Sequence, residues 1–98
     1  MKTQERRSEN LTAKQLADQD KLTIELIGAK VLIVKGEQTV CGTVQRFWAN
    51  DMPIFEKFTD REPSGIKTSM ILFLEGEGEM AFESTDDDVN IEILYPAN

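Results

Sequence analysis

The sequence contains no histidine and a single cysteine, Cys41. Without histidine, Ser-His-Asp and Cys-His catalytic arrangements and histidine metal sites are excluded. One cysteine cannot form an internal disulfide or a cysteine-based metal centre. We therefore predict a protein that is not an enzyme and that holds neither a cofactor nor a metal ion. Because Cys41 lies within a strand-like segment, we expect a small core residue rather than a nucleophile.

Long apolar runs are also missing, since no segment approaches the roughly 20 residues that span a bilayer. The N-terminus shows no signal-peptide pattern, and a single cysteine suits a reducing compartment. These absences predict a cytoplasmic protein, in the host cytoplasm if the chain is viral, that does not associate with membranes. The length of 98 residues predicts a single small domain over residues 11–98. Residues 1–10 are polar without apolar periodicity and are expected to be a disordered tail.

Basic residues are absent after Lys67. Residues 1–67 hold 11 basic and 10 acidic side chains and sum to +1, whereas residues 68–98 hold eight acidic and no basic side chains and sum to −8. Together they give the net charge of −7. One face or end of the fold is therefore expected to carry a concentrated negative potential.

The acidic stretch allows two interpretations. Acidic turns can simply keep exposed sheet edges from pairing with other chains. They can also form a docking face for a basic partner, or imitate the phosphate backbone of DNA in a protein groove that expects negative charge. A calcium site is not predicted, because the ligand spacing of an EF-hand loop is absent. Under the docking interpretation, the electrostatic face consists of Glu77, Glu79, Asp86, Asp87 and Asp88.

A short helix is predicted near the N-terminus. Thr12 followed by Gln15 has the pattern of a capping box, and Leu11 and Leu16 occupy the two positions of a hydrophobic staple. The helix is expected to be short, because an alternating, strand-like pattern begins at Lys21 with KLTIEL.

The remaining segments predict short antiparallel strands. AKVLIVK and TVCGTVQRFW flank the turn KGEQ and form a hairpin pattern, in which Gly42 indicates a bulge or a bend. Further strands are predicted at residues 67–74 and in MAFES and VNIEILY. The fold class is therefore mainly β: a small antiparallel barrel or strongly bent sheet of five or six strands with one short N-terminal helix.

Residues 49–66 interrupt the strand pattern and are predicted to be an inserted loop. The segment contains two prolines but also several large apolar side chains. It either caps one end of the barrel or contributes to a protein interface, where aromatic residues and arginine are enriched. Because Phe47 and Trp48 are adjacent in a strand, they face opposite sides and one of them should be exposed. The predicted partner contacts are Arg46, Trp48, Phe55 and Phe58.

The order of these segments resembles a known architecture. GAKVLIVKGEQTVCGTV, followed by ILFLEGEGEMAFES and then DDDVNIEIL, resembles the SH3-like small β-barrel proteins common in phages and mobile elements. The resemblance covers residues 11–94 and implies a helical lead-in followed by a small barrel. The chain departs from that pattern in the apolar segment at residues 49–66.

The function predicted from these observations is that of a non-enzymatic acidic module that binds a protein partner with a basic surface. The resemblance implies a modulator or inhibitor of a host nucleic-acid-handling protein. One alternative is a nucleic-acid-binding barrel, which would require basic residues to cluster opposite the acidic ones. Another is a structural or virion assembly protein, and the protein is expected to be a monomer or a small homo-oligomer. The basic residues of the nucleic-acid alternative are Arg46, Lys57, Arg61 and Lys67, placed around Trp48.

Overall fold

The structure, a computed structural model, describes residues 7–96. Within that range the chain forms six strands, one α-helix and one turn of 3-10 helix. The elements are β1 (Ser8–Thr12), α1 (Ala13–Asp18), the 3-10 turn (Ile24–Leu26), β2 (Lys30–Lys35), β3 (Gln38–Ile54), β4 (Gly65–Leu74), β5 (Gly78–Glu83) and β6 (Val89–Leu94).

The six strands form one antiparallel sheet in the order β1-β6-β2-β3-β4-β5. The prediction of a mainly β fold with one short helix is therefore confirmed. The sheet is not closed, because β1 and β5 each have a single neighbour. Helix α1 contacts both of these edge strands. No helix in residues 7–96 is long and apolar enough to cross a membrane.

The helix begins where the capping pattern predicts. The side chain of Thr12 accepts a hydrogen bond from the backbone N–H of Gln15 at 3.1 Å, and Gln15 Oε1 accepts one from the N–H of Thr12 at 2.9 Å. Leu11 and Leu16 are both buried in the core. Local hydrogen bonds and apolar burial together therefore fix this start. The core contains Leu11, Ala13, Leu16, Leu26, Ala29, Val31, Ile33, Val44, Met70, Leu72, Leu74, Met80, Phe82, Val89, Ile91, Ile93 and Tyr95.

Residues 21–26 do not form a strand, although their alternating pattern is strand-like. Instead, Leu26 N–H donates to Thr23 O and Ile27 N–H donates to Ile24 O, which closes a 3-10 turn. The turn buries Leu26 and leaves Ile24 82% exposed. The alternating pattern failed here because local hydrogen bonds satisfied the backbone without a neighbouring strand.

The prediction of a disordered tail at residues 1–10 is also wrong for residues 8–10. Ser8 and Glu9 pair with Leu94 and Ile93 as part of β1, so this segment is an edge strand. Its polar composition is explained by its position, since only alternate side chains of an edge strand reach the core. The remainder of the predicted tail, residues 1–6, lies outside the described residues.

Strand β3 is 17 residues long and changes neighbours along its length. Its first part pairs with β2, and its second part pairs with β4. A register shift between Val44 and Arg46 marks a β-bulge at the change. An extra residue reverses the alternation of faces and bends the strand, so Val44 and Phe47 both lie on the core side. The bulge lies three residues beyond Gly42, where the sequence predicted a bulge or bend.

Cys41 is exposed, which corrects the expectation of a core residue. It pairs with Leu32, whose neighbours Val31 and Ile33 are the buried residues of β2. Because paired residues face the same side, Cys41 lies on the solvent side. The mid-strand position was identified correctly, but the face was not.

Gly42 is expected to tolerate substitution poorly. A Cβ atom at this position would lie 3.1 Å from the Cβ of Leu74, closer than ordinary van der Waals contact. We expect Gly42→Val to lower the free energy of unfolding by about 2 kcal/mol, because the buried end of β4 must shift. Chemical denaturation measures this change. Cys41→Val is the matched control and should be close to neutral, and equal losses in the two variants would contradict the assignment of faces.

Candidate functional site

The segment predicted as a loop at residues 49–66 is the end of a β-hairpin: strand residues stand on both sides of an irregular tip. Strand β3 continues to Ile54 and β4 begins at Gly65, so only residues 55–64 are irregular. The paired strands continue past the end of β5, which pairs with β4 only as far as Ser69, opposite Glu83. The loop prediction is wrong for residues 49–54 and 65–66, which belong to strands. Pro53 fits in β3 because that part of the strand has a neighbour on one side only, where proline is tolerated.

The hairpin projects from the rest of the sheet. We call residues 52–67 the arm. The molecule measures 63 Å along its longest axis and 24 and 20 Å along the other two, and the elongation is consistent with a two-stranded ribbon that extends beyond the core. A two-stranded ribbon cannot bury the side chains of both its faces by itself.

The arm carries exposed apolar side chains. Residues 7–96 contain seven large hydrophobic side chains that are exposed, and four of them belong to the arm. Trp48 precedes the arm on β3 and is 45% exposed, whereas Phe47 packs against the core, so the prediction that one of this pair is outside is confirmed. The four exposed residues of the arm are Met52, Phe55, Phe58 and Ile66.

The tip of the arm is shaped by local hydrogen bonds. The backbone N–H of Lys57 donates to Asp60 Oδ2 at 2.9 Å, and the N–H of Asp60 donates to the carbonyl of Lys57 at 3.0 Å. Ser64 N–H donates to the carbonyl of Ile54 at 2.8 Å and closes the loop. Phe58 lies inside the first of these turns and its side chain is fully exposed. A shallow, open hollow beside it is lined by Phe55, Lys57, Phe58 and Asp60.

The side of β3 and β4 that faces away from the core forms a second part of the site, which we call the outer face. Met70 and Leu72 are buried on the core side, so Ile71 and Phe73 lie on the other side. Each outer-face residue of β3 has a register partner on β4. The pairs are Arg46 with Phe73, Trp48 with Ile71, Asn50 with Ser69, Met52 with Lys67 and Ile54 with Gly65.

Arg46 is part of this outer face. Its guanidinium carbon lies 4.1 Å from the centroid of the Phe73 ring, a cation–π contact. Glu79 of β5 pairs with Phe73 of β4 and therefore lies on the same face. The predicted contacts Arg46, Trp48 and Glu79 are thus close together.

The other predicted acidic residues are not gathered there. Glu77 lies in the turn after β4, at the opposite end of that strand from the arm tip, about 30 Å away at ~3.3 Å per residue. Asp86 accepts a hydrogen bond from the backbone N–H of Glu83 at 2.8 Å and holds a local turn. Asp87 and Asp88 are exposed in the same loop between β5 and β6.

The acidic residues after Lys67 are nearly all without ion pairs inside the described part of the chain. Of the eight acids after Lys67, only Glu83 is paired, with Lys67 Nζ at 2.6 Å from Glu83 Oε2. No group of three or more potential metal-ligating side chains exists within residues 7–96. The unpaired negative charge after Lys67 is therefore distributed over several separate places.

Ile66 is an apolar residue of the site that sequence reasoning missed. It has the same alternation as the buried Met70 and Leu72, so the pattern assigns it to the core side. It does lie on that side, opposite Pro53, but beyond the end of the core, and it is 73% exposed. No signal in the strand pattern indicates where the core beneath it ends.

A separate polar cluster joins β1 to the chain that follows β6. Lys21 Nζ lies 2.9 Å from Glu9 Oε2, and the guanidinium carbon of Arg7 lies 4.2 Å from the centroid of the Tyr95 ring. The hydrogen bond from Lys21 lowers the pKa of Glu9 below its ordinary value. Burial raises the pKa of Tyr95. We interpret this cluster as structural, because it ties edge strand β1 to its neighbours.

This cluster makes stability depend on pH. Since the pKa of Glu9 is lower in the folded chain than in the unfolded chain, its contribution is present above the unfolded pKa and is lost as pH falls through the folded pKa. We expect Glu9→Gln to lower the Tm at pH 7 and to have little effect once pH is below the folded pKa. Thermal unfolding of both proteins across acidic pH measures this. A difference in Tm that stays constant with pH would contradict it.

No protein-family model matches this chain, and neither the curated proteins nor the solved structures include one that matches it.

Proposed function

We propose that the protein is a non-enzymatic module that binds a protein partner through the arm and the outer face. The observation that carries this proposal is the concentration of exposed large apolar side chains on a projecting hairpin. Exposed apolar surface costs about 25 cal/mol per Å² relative to burial, so covering Phe58 and its neighbours favours association. Aromatic and arginine side chains are also the types that most often dominate binding energy at interfaces.

The partner is proposed to have an apolar site with basic residues around it. The chain has a net charge of −7, and the acids after Lys67 are almost all unpaired within the described residues. Like-charge repulsion discriminates against acidic surfaces, and attraction to basic ones accelerates encounter. Glu79 beside Arg46 and the exposed loop with Asp87 and Asp88 supply this charge in the proposal.

Direct binding of nucleic acid is less well supported. That function requires Arg46, Lys57, Arg61 and Lys67 to form a basic face away from the acids. Arg46 shares its face with Glu79, and Lys67 is paired with Glu83. The surface around Trp48 is therefore mixed in charge, which is unfavourable for phosphate contacts.

We further propose that the fold is an SH3-like barrel and that the protein acts as an inhibitor. An SH3-like barrel is supported by Lys35 Nζ, which donates to the carbonyl of Ala81 at 2.9 Å and so links β2 to edge strand β5. A role as a phage or mobile-element inhibitor of a host nucleic-acid-handling protein, acting in the host cytoplasm, rests on the chain pattern and the acidic charge. Imitation of DNA by the acids is one mechanism by which such an inhibitor would act.

The test is a pull-down from a host-cell lysate with the protein immobilised, run with and without nuclease. We expect a protein band that survives nuclease and is lost with the Trp48→Ala, Phe55→Ala double variant. Ile24→Ala is the matched control, because Ile24 is an exposed apolar residue outside the arm and the outer face. Recovery of nucleic acid, with all protein bands lost on nuclease treatment, would instead support the nucleic-acid alternative. Loss of the band with Ile24→Ala alone would place the binding surface elsewhere.

A further inference from the structure

The second half of β3 points main-chain hydrogen-bonding groups away from its neighbour β4. Thr68 N–H donates to Ser84 Oγ at 2.9 Å and Ser84 N–H donates to the Thr68 carbonyl at 2.8 Å, so the backbone of Thr68 points towards the β5 side. Asp51 pairs with Thr68 and therefore points its own N–H and C=O away from β4. Because this direction alternates along a strand, Ala49 and Pro53 point the same way as Asp51.

Proline at position 53 agrees with this direction, since a residue without an N–H fits where that group would face away from the neighbouring strand. Among the described residues, no strand, turn or side chain bonds to the outward backbone groups of residues 49–53. All five of these residues are exposed. We call their outward side the open edge.

The two terminal strands of the sheet are covered, in contrast to the open edge. Helix α1 contacts both β1 and β5, and Lys35 Nζ donates to the carbonyl of Ala81 in β5. Covering helices and lysine side chains are the usual means by which proteins keep sheet edges from pairing with other chains. The open edge lacks such protection from the described residues, so it is available to a strand from outside.

We infer that an extended segment of the protein partner adds to the sheet as a strand along the open edge. This inference rests on the function proposed above and specifies how the partner is held. The open edge offers the N–H groups of Ala49 and Asp51 and the carbonyls of Ala49, Asp51 and Pro53, repeated about every 7 Å. Another extended backbone matches that spacing, and its main-chain hydrogen bonds supply affinity whatever its sequence.

The side chains along the open edge specify the chemistry of this segment. Trp48 and Met52 are exposed on the outer face, so apolar side chains four residues apart in the added strand would pack beside them. Asp51 forms no ion pair with another described residue, so a basic side chain between the two apolar ones would lie opposite it. A second copy paired antiparallel about the centre of the open edge would instead oppose Asp51 to Asp51, which is unfavourable.

Ala49→Pro tests the main-chain contact. The ring removes the outward N–H and blocks the edge but leaves the hydrogen bonds between β3 and β4 in place, so circular dichroism should show a folded protein. Surface plasmon resonance should show that the affinity for the captured partner falls by at least about tenfold. Asn10→Pro is the matched control and should leave the affinity unchanged. Because Tyr95 N–H donates to the carbonyl of Arg7, Asn10 likewise points its N–H away from the neighbouring strand, but on β1.

Amide hydrogen exchange, followed by NMR, is a second measurement on the unaltered chain. The amides of Ala49 and Asp51 should exchange fast in the free protein and at least about tenfold more slowly in the complex. Equal exchange in both states, or undiminished affinity of Ala49→Pro, would overturn the inference while partner binding itself stands. Slow exchange in the chain alone that depends on its concentration would assign the edge to a second copy and also overturn it. A pull-down without any protein band would overturn the proposed function, and this inference with it.

Discussion

Replacing both Phe55 and Phe58 with serine is expected to weaken binding to the captured partner by about 100-fold or more. Both side chains are exposed at the arm tip, and Phe58 makes no contribution to the core. The loss should appear mainly as faster dissociation, because apolar contacts at an interface affect lifetime more than encounter. Surface plasmon resonance with the immobilised partner measures both rates.

Stability provides the control for this variant. Because neither phenylalanine is buried, the Tm of the double variant should remain within a few degrees of the original. Leu32→Ser, which alters a partly exposed residue of β2 outside the arm and the outer face, should leave partner binding unchanged. Unaltered affinity in the Phe55→Ser, Phe58→Ser variant would show that the arm tip does not contact the partner.

The largest loss of stability is expected from Leu72→Ala. Leu72 is fully buried in the centre of β4, between β3 and β5. Removing a buried leucine side chain loses its transfer free energy and leaves a cavity, so the free energy of unfolding should fall by about 3 kcal/mol. For a chain of this length the Tm should fall by about 15 °C. Denaturant titration followed by tryptophan fluorescence measures the change.

The neighbouring residue Ile71 is the matched control. It lies on the same strand but faces outward beside Trp48, where it is only partly buried. Ile71→Ala should therefore cost clearly less than Leu72→Ala, about 1 kcal/mol. A larger loss for Ile71→Ala would mean that the register of β4, and with it the outer face, is assigned to the wrong side.

Features that depend on neighbouring residues could be predicted from sequence. The capping box of Thr12 and Gln15 acts within one helical turn, and the hairpin from Lys30 to Val44 follows from alternation around a tight turn. The exposure of one residue of the pair Phe47 and Trp48 also followed, because adjacent strand residues face opposite sides.

Features that depend on distant pairing could not be predicted. Ser8 to Thr12 form a strand because β6 lies beside them, whereas residues 21–26 have a strand-like pattern but no strand beside them. All of residues 49–66 was taken for a loop because Pro53 and Pro63 suggest irregular chain, so the strand residues on both sides of the tip were missed. The sequence also cannot show that only one side of β3 is paired there.

The structure brings some of the residues predicted for the candidate site together and separates others. Arg46, Trp48 and Glu79 do share one face, and Phe55 and Phe58 lie at the arm tip. The other acids are spread over two turns, because the turns that hold Glu77 and Asp86–Asp88 lie at different ends of the sheet. Ile66 was missed because the periodicity of a strand continues unchanged where the core beneath it stops.

The most direct test of the arm as the binding element is site-specific photo-crosslinking. A photoreactive phenylalanine analogue replaces Phe58 in one protein and Ile24 in another, both at highly exposed positions. Each protein is irradiated together with the captured partner. Our account predicts a partner adduct from position 58 and none from position 24. An adduct from position 24 with none from position 58 would contradict it.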